Sequence, residues 1–187
     1  MRTKDLINLI DETLVDIWTT DISRDYNSEW LLQEDPLKCA LYYHLRNRLG
    51  KVFEENGIRI YTEYIGKPFS DAHKKPDMVI AKINTEMDYD YLGETVEEIL
   101  AVIEIKLKNG FAGSNTIYND YEKLKCYACE LGVSAKLYMA TIWEYEDGPT
   151  TWERKNAAWA EGRLTELNAS YVRGSDHEMR FYVCPHK

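Results

Sequence analysis

Apolar residues recur at helical spacing from the start of the chain. Leu6, Leu9, Ile10, Leu14, Ile17 and Trp18 predict an amphipathic helix over residues 5–19. A polar break is expected over 21–27, after which Ser28 is placed to cap a second, longer helix. The stripe of that helix is Leu31, Leu37, Leu41, Leu45, Leu49, Val52 and Phe53. Pro36 inside it predicts a start near Asp35 or a kink, and Asn56-Gly57 ends it. The period then shortens to two. Residues 58–65 alternate as a strand, and a second strand is expected over 77–83. The acidic stretch 84–100 reads as a turn plus a short helix or hairpin extension, and 100–108, rich in Ile and Val, is the strongest strand. Gly110 and Gly113 break it, and a helix follows over 115–131, stopped by Gly132. A strand over 136–144, a helix carrying Trp152, Trp159, Leu164 and Leu167, and a last strand over 179–184 complete the chain. The order α-α-β-β-β-α-β-α-β predicts an α/β layered domain with a central mixed sheet flanked by helices. No repeat, low-complexity tract or linker divides it, so residues 1–187 are expected to form one domain.

Length and charge narrow the classes. The 187 residues suffice to bury a core, and no run of about 18 apolar residues exists to span a membrane. The N-terminus has no apolar signal core, so a cytoplasmic location is expected. The net charge of -9 argues against a general nucleic-acid-coating protein. That deficit is local: residues 1–35 hold nine acids against three bases, and residues 84–100 hold six acids and no base. The rest of the chain carries a small positive excess, which leaves room for a phosphate-binding surface. Four cysteines are too few for a disulfide scaffold, and Cys126 and Cys129, inside a helical pattern, read as small buried residues and not as a metal site. The segment from Asp88 resembles the start of a calcium loop, but Leu92 and Ile99 occupy ligand positions, which rejects it. The four histidines share no ligand spacing, His73 reads as a loop-surface residue, and no phosphate loop or nucleophile elbow occurs.

The strand over 100–107 carries the chemistry. Side chains alternate, so Ile103, Ile105 and Leu107 share one face while Val102, Glu104 and Lys106 share the other. A carboxylate and an ammonium group in the most apolar strand are expensive to bury unless used or paired. Pro76-Asp77 opens the neighbouring strand, with Asp77, Val79 and Ala81 on one face and Met78 and Ile80 on the other. If the two strands pair, Asp77 and Glu104 converge. Two hard carboxylates beside a lysine suit a magnesium ion gripping a phosphate, with Lys106 orienting or helping to deprotonate the attacking water. Lys74, Lys75, Lys108, Lys123 and Lys125 are candidate phosphate contacts. Tyr42, Tyr43, Tyr118 and Tyr121 can stack on bases, although packing on helix faces is the commoner use.

Lys75-Pro76-Asp77-Met78-Val79-Ile80, followed after an interval by Val102-Ile103-Glu104-Ile105-Lys106, resembles the PD-(D/E)xK motif of restriction-endonuclease-like nucleases. Glu34-Asp35-Pro36-Leu37 is similar to the entry of that family's first core helix, and Asp120-Tyr121-Glu122-Lys123-Leu124 to a later helix that supplies a polar residue to the site. The resemblance covers about residues 30–142, leaving an N-terminal helix and a C-terminal helix–strand extension outside it. It implies a restriction-endonuclease-like α/β/α sandwich and a Mg²⁺-dependent nuclease, with Mn²⁺ as a substitute, acting on phosphodiesters in DNA. It implies Asp77, Glu104 and Glu34 as metal ligands, Lys106 as the catalytic lysine, and Glu63 as a supporting carboxylate behind them. Lys75, Lys108 and Lys123 would contact nucleic acid. Two alternatives stand beside it: a non-catalytic module of the same fold that meets a protein partner or its own copy through acidic surfaces, and a nuclease subunit of a larger DNA-processing or defence complex.

Overall fold

The computed structural model describes residues 1–69, 75–109, 115–145, 148, 151–153, 157–172, 174 and 178–186. Helix α1, Thr3–Asp16, runs without interruption into a π-helical stretch, Ile17–Ile22, and a short helix α2, Ser23–Asn27. The expected polar break is therefore helical. Its polar side chains find partners on the next helix: Asp21 pairs with Arg48, and Asp25 Oδ2 lies 2.7 Å from His44 Nε2. Trp18 and Ile22 remain wholly buried. Helix α3, Glu34–Glu55, has Pro36 in its first turn, where the missing N–H removes no intrahelical bond, so the helix starts there. Asn56 ends it, and Gly57 takes a φ of 64°.

Six strands form one open sheet in the order β1-β2-β3-β4-β5-β6. They are β1 Ile58–Thr62, β2 Met78–Ile83, β3 Val96–Lys108, β4 Lys136–Trp143, β5 Leu164–Tyr171 and β6 Met179–Pro185. Neighbours β1–β2, β2–β3 and β5–β6 are antiparallel, whereas β3–β4 and β4–β5 are parallel. Helix α4, Asn115–Glu130, supplies the β3–β4 crossover. The fold is thus α/β with a mixed sheet. Its two faces carry separate cores. Ile60, Met78, Ile80, Ile103, Ile105 and Leu167 pack under α1 and α3. Val79, Val102, Leu137, Met139 and Leu164 pack under Ile117, Leu124 and Tyr127 of α4.

Three expectations are corrected. Strand β1 stops at Thr62 because Glu63 adopts a left-handed backbone with φ 54°. Strand β3 starts at Val96 and not at 100, so the last five residues of the acidic stretch extend it after a 3₁₀ turn, Leu92–Thr95. Among the described residues of the last expected helix there is a 3₁₀ turn, Ala158–Ala160, and Leu164 and Leu167 lie in β5, on opposite faces of the sheet. Their i,i+3 spacing suited a helix, but a strand flanked on both sides is buried on both faces and loses the polar alternation that marks it. Cys129 is exposed and Cys126 half-buried, so the pair is not a buried helix packing element. Among the described residues, no helix is long and apolar enough to cross a membrane.

Candidate active site

The β2–β3 register pairs Met78 with Ile103 and Val79 with Val102, which sets Asp77 against Glu104 just where β2 begins. Strand pairing with β2 ends there, and the next β3 amide facing that side belongs to Ile105. Asp77 Oδ2 accepts a 2.8 Å hydrogen bond from this N–H, so a side chain takes over where the ladder stops. One carboxylate is thereby clamped to the residue between Glu104 and Lys106. The predicted alternation holds, and Glu104 and Lys106 face α4.

Glu104 is wholly buried. Lys123 Nζ lies 3.3 Å from its Oε2, while Oε1 has no hydrogen-bond partner among the described residues. Burial first, and then the Asp77 charge, push this carboxyl up to about 8, against the pull of Lys123. Tyr127 stands beside the same group, and burial together with the Glu104 charge keeps its hydroxyl protonated well above the ordinary tyrosine range. Lys106 Nζ lies 2.9 Å from Glu34 Oε2 and 3.3 Å from Asp120 Oδ2. Burial pulls the ammonium down, but the Glu34 and Asp120 charges override it and raise its pKa above the ordinary lysine value. Lys106 is thus held between two carboxylates, one from the start of α3 and one from α4.

Around this centre the helices add a second ring of charge. Lys38, one turn after Glu34 on α3, reaches Asp77 Oδ1 at 3.3 Å and hydrogen-bonds Glu63. Its pKa rises as well, the two carboxylates outweighing burial. Lys75 pairs with the other oxygen of Glu63, and the two lysines hold the Glu63 carboxyl below its usual range although burial opposes them. Asp120 and Lys123, one turn apart on α4, are 2.7 Å apart at Oδ1 and Nζ. Five carboxylates and four ammonium groups thus meet at one end of β3.

Asp77, Glu104, Lys106 and Glu34 all fall within this cluster. Glu34 reaches it through Lys106, and Glu63 through Lys38. Of the expected nucleic-acid contacts, Lys75 and Lys123 are engaged with carboxylates, and Lys108 makes no ion pair with any described residue. Lys74 and His73 lie outside the described residues. Tyr121 is buried against Glu166 and cannot stack on a base, whereas Tyr43 and Tyr118 are exposed. Lys38 and Tyr127 were not singled out from the sequence. Their signals exist: Lys38 follows Glu34 at i+4, and Tyr127 follows Asp120 at i+7 on the α4 face above β3.

The donor set suits a hard divalent cation at Asp77 and Glu104. Glu104 Oε1 is buried and has no hydrogen-bond partner among the described residues. Mg²⁺ needs no closed cage, since it binds through one or two carboxylates and keeps several waters. Among the described residues no three His, Cys, Asp or Glu side chains form such a cage. Compared with known proteins, the chain matches no family model, no curated protein and no solved structure.

Proposed function

We propose that this protein is a divalent-cation-dependent nuclease of the PD-(D/E)xK type, hydrolysing phosphodiesters in DNA on a restriction-endonuclease-like scaffold. The observation that carries the reading is the clamp of Asp77 onto the Ile105 amide, which gathers a carboxylate, the Glu104 carboxylate and the Lys106 ammonium at one strand end. Asp77 and Glu104 would hold the ion, and Mn²⁺ could replace Mg²⁺ there. When bound, such an ion neutralises the scissile phosphate and acidifies a water at the site. Lys106 supplies fixed positive charge for the phosphorane-like transition state. Glu34 and Asp120 orient that ammonium from two sides, and Asp120 sits too far back to be the first contact of a substrate. Glu63 and Lys38 hold Asp77 in place.

The test is cleavage of plasmid and oligonucleotide with Mg²⁺ or Mn²⁺ by wild type, Glu104→Ala and Lys106→Ala. Each substitution should lower the rate by about 10²–10³ or more, the usual effect of removing a group aimed at transition-state charge. Equal activity in all three sinks the assignment.

One observation favours a second reading, a non-catalytic module that contacts a protein partner. Met87, Tyr89, Tyr91 and Leu92 stand exposed among Glu86, Asp88, Asp90 and Glu94. Calorimetry with Mg²⁺ separates the readings: binding lost in Asp77→Asn supports the nuclease, and no heat with any form of the protein favours the module. The same surface would serve a nuclease subunit whose DNA contacts come from a larger complex.

A further inference from the structure

Three of the four lysines in the cluster, Lys38, Lys106 and Lys123, are held differently. Lys38, whose side chain is 10% exposed, is locked between Glu63 and Asp77. Lys106, 16% exposed, is locked between Glu34 and Asp120. Lys123 is 34% exposed, with Asp120 at 2.7 Å and Glu104 at 3.3 Å. It lies one residue beyond Glu122, itself 69% exposed, so the outer side of α4 is open to it. Of these ammonium groups it is the one that touches Glu104, and Asp120 keeps Lys106 as a partner if Lys123 leaves. Among the described residues, Glu104 Oε1 has no hydrogen-bond partner.

A divalent ion on Glu104 and an ammonium at hydrogen-bond distance from the same carboxylate repel strongly in a dry site. We infer that Lys123 is the resident cation of Glu104, that it yields this place to a divalent ion, and that it then turns outward to the position of a phosphate contact. The inference rests on the metal reading of Asp77 and Glu104. It also joins the sequence reading of Lys123 as a candidate phosphate contact to its position in the free protein, folded back onto a carboxylate. A long, flexible stem and a compact charge suit lysine, more than arginine, to this exchange. An ammonium in residence also keeps the carboxylates from clashing before an ion arrives.

The sign of the effect sets this apart from a positioning role, in which removing Lys123 would weaken binding. Mg²⁺ alone is titrated calorimetrically into wild type, Lys123→Met and Lys125→Met. The last removes the same charge two residues on, from a surface pair with Glu122. Lys123→Met should bind about tenfold tighter or more, and Lys125→Met should stay within roughly twofold of wild type. A second measurement needs no variant: acetylation of wild-type lysines, read by peptide mass spectrometry, should rise several-fold at Lys123 on saturation with Mg²⁺ and stay level at Lys38. Affinity unchanged or weakened in Lys123→Met, or Lys123 labelling unmoved by saturating Mg²⁺, overturns the exchange and leaves the metal site standing. No binding in either wild type or Lys123→Met removes the metal site, and the exchange with it.

Discussion

Glu104 combines complete burial with a carboxylate neighbour, and its protonation follows from both. In the metal-free folded state its carboxyl is pushed up to about 8, from an ordinary value near 4.5. Between those values the folded protein holds a proton that the unfolded chain has released, so stability falls as pH rises through this window and the loss is complete above about pH 8. Glu104→Gln removes the titration but keeps the shape. In EDTA its melting temperature should therefore exceed that of wild type by a margin that grows from pH 5 to pH 8.5; a constant margin contradicts the buried-carboxylate account. Glu104 and Lys106 were legible because a strand alternates and charges on the face of an apolar strand stand out. Asp77 was legible only in combination with a neighbour. Its amide contact to Ile105 depends on where β2 stops, which no local pattern reveals. That Glu34 and Asp120 both pair with Lys106 was not legible, because the three lie on different elements, Glu34 72 residues away.

Among the elements, β3 and α3 were readable because their periods agree with burial, but the expected cap was not: α3 starts behind Gln33 with no side-chain cap, and Ser28 ends α2 instead. Pro36 in the first turn of α3 aims Glu34 and Lys38, at i and i+4, toward the end of β3. The polar residues of the π-helical stretch and α2 read as a loop because their partners, Arg48 and His44, belong to another helix. Strand β5 was misread for a related reason. Its polar residues are buried, and Glu166 looks misplaced until its partners are known. Glu166 is wholly buried and accepts hydrogen bonds from the amides of Trp152 and Glu153, at 3.1 and 2.8 Å, from Asn168 Nδ2 at 2.8 Å and from Tyr121. It pins the connection between β4 and β5 against α4, the helix that carries Asp120 and Lys123. Glu166→Ala strands these donors and should cost about 3 kcal/mol or more in urea unfolding. The amides of Trp152 and Glu153 should also lose protection in hydrogen exchange. A loss under about 1 kcal/mol would show that the network is not under tension with the fold.

Across the whole molecule, charge is divided. The acidic lobe joins β2 to β3 at Ile83 and Val96, the end of that pair away from Glu104 and Lys106, and the lysines of the cluster are mostly paired with carboxylates. Few cations are left to displace counterions from a polyanion. Binding of a labelled oligonucleotide to Glu104→Ala protein should therefore weaken only modestly with salt, with a log–log slope of magnitude about 3 or less. A slope near that of a strongly basic binding protein would require a cationic surface that the cluster does not supply. The amphipathic helices, the long central strand and the spacing of charges on its polar face follow from chain periodicity, because burial on one side writes a repeat of two or near four into the residues. Which charges meet, which of them are protonated and which polar segments are helical were decided by contacts between distant parts of the chain. Ion pairing and desolvation act through space and leave no period behind.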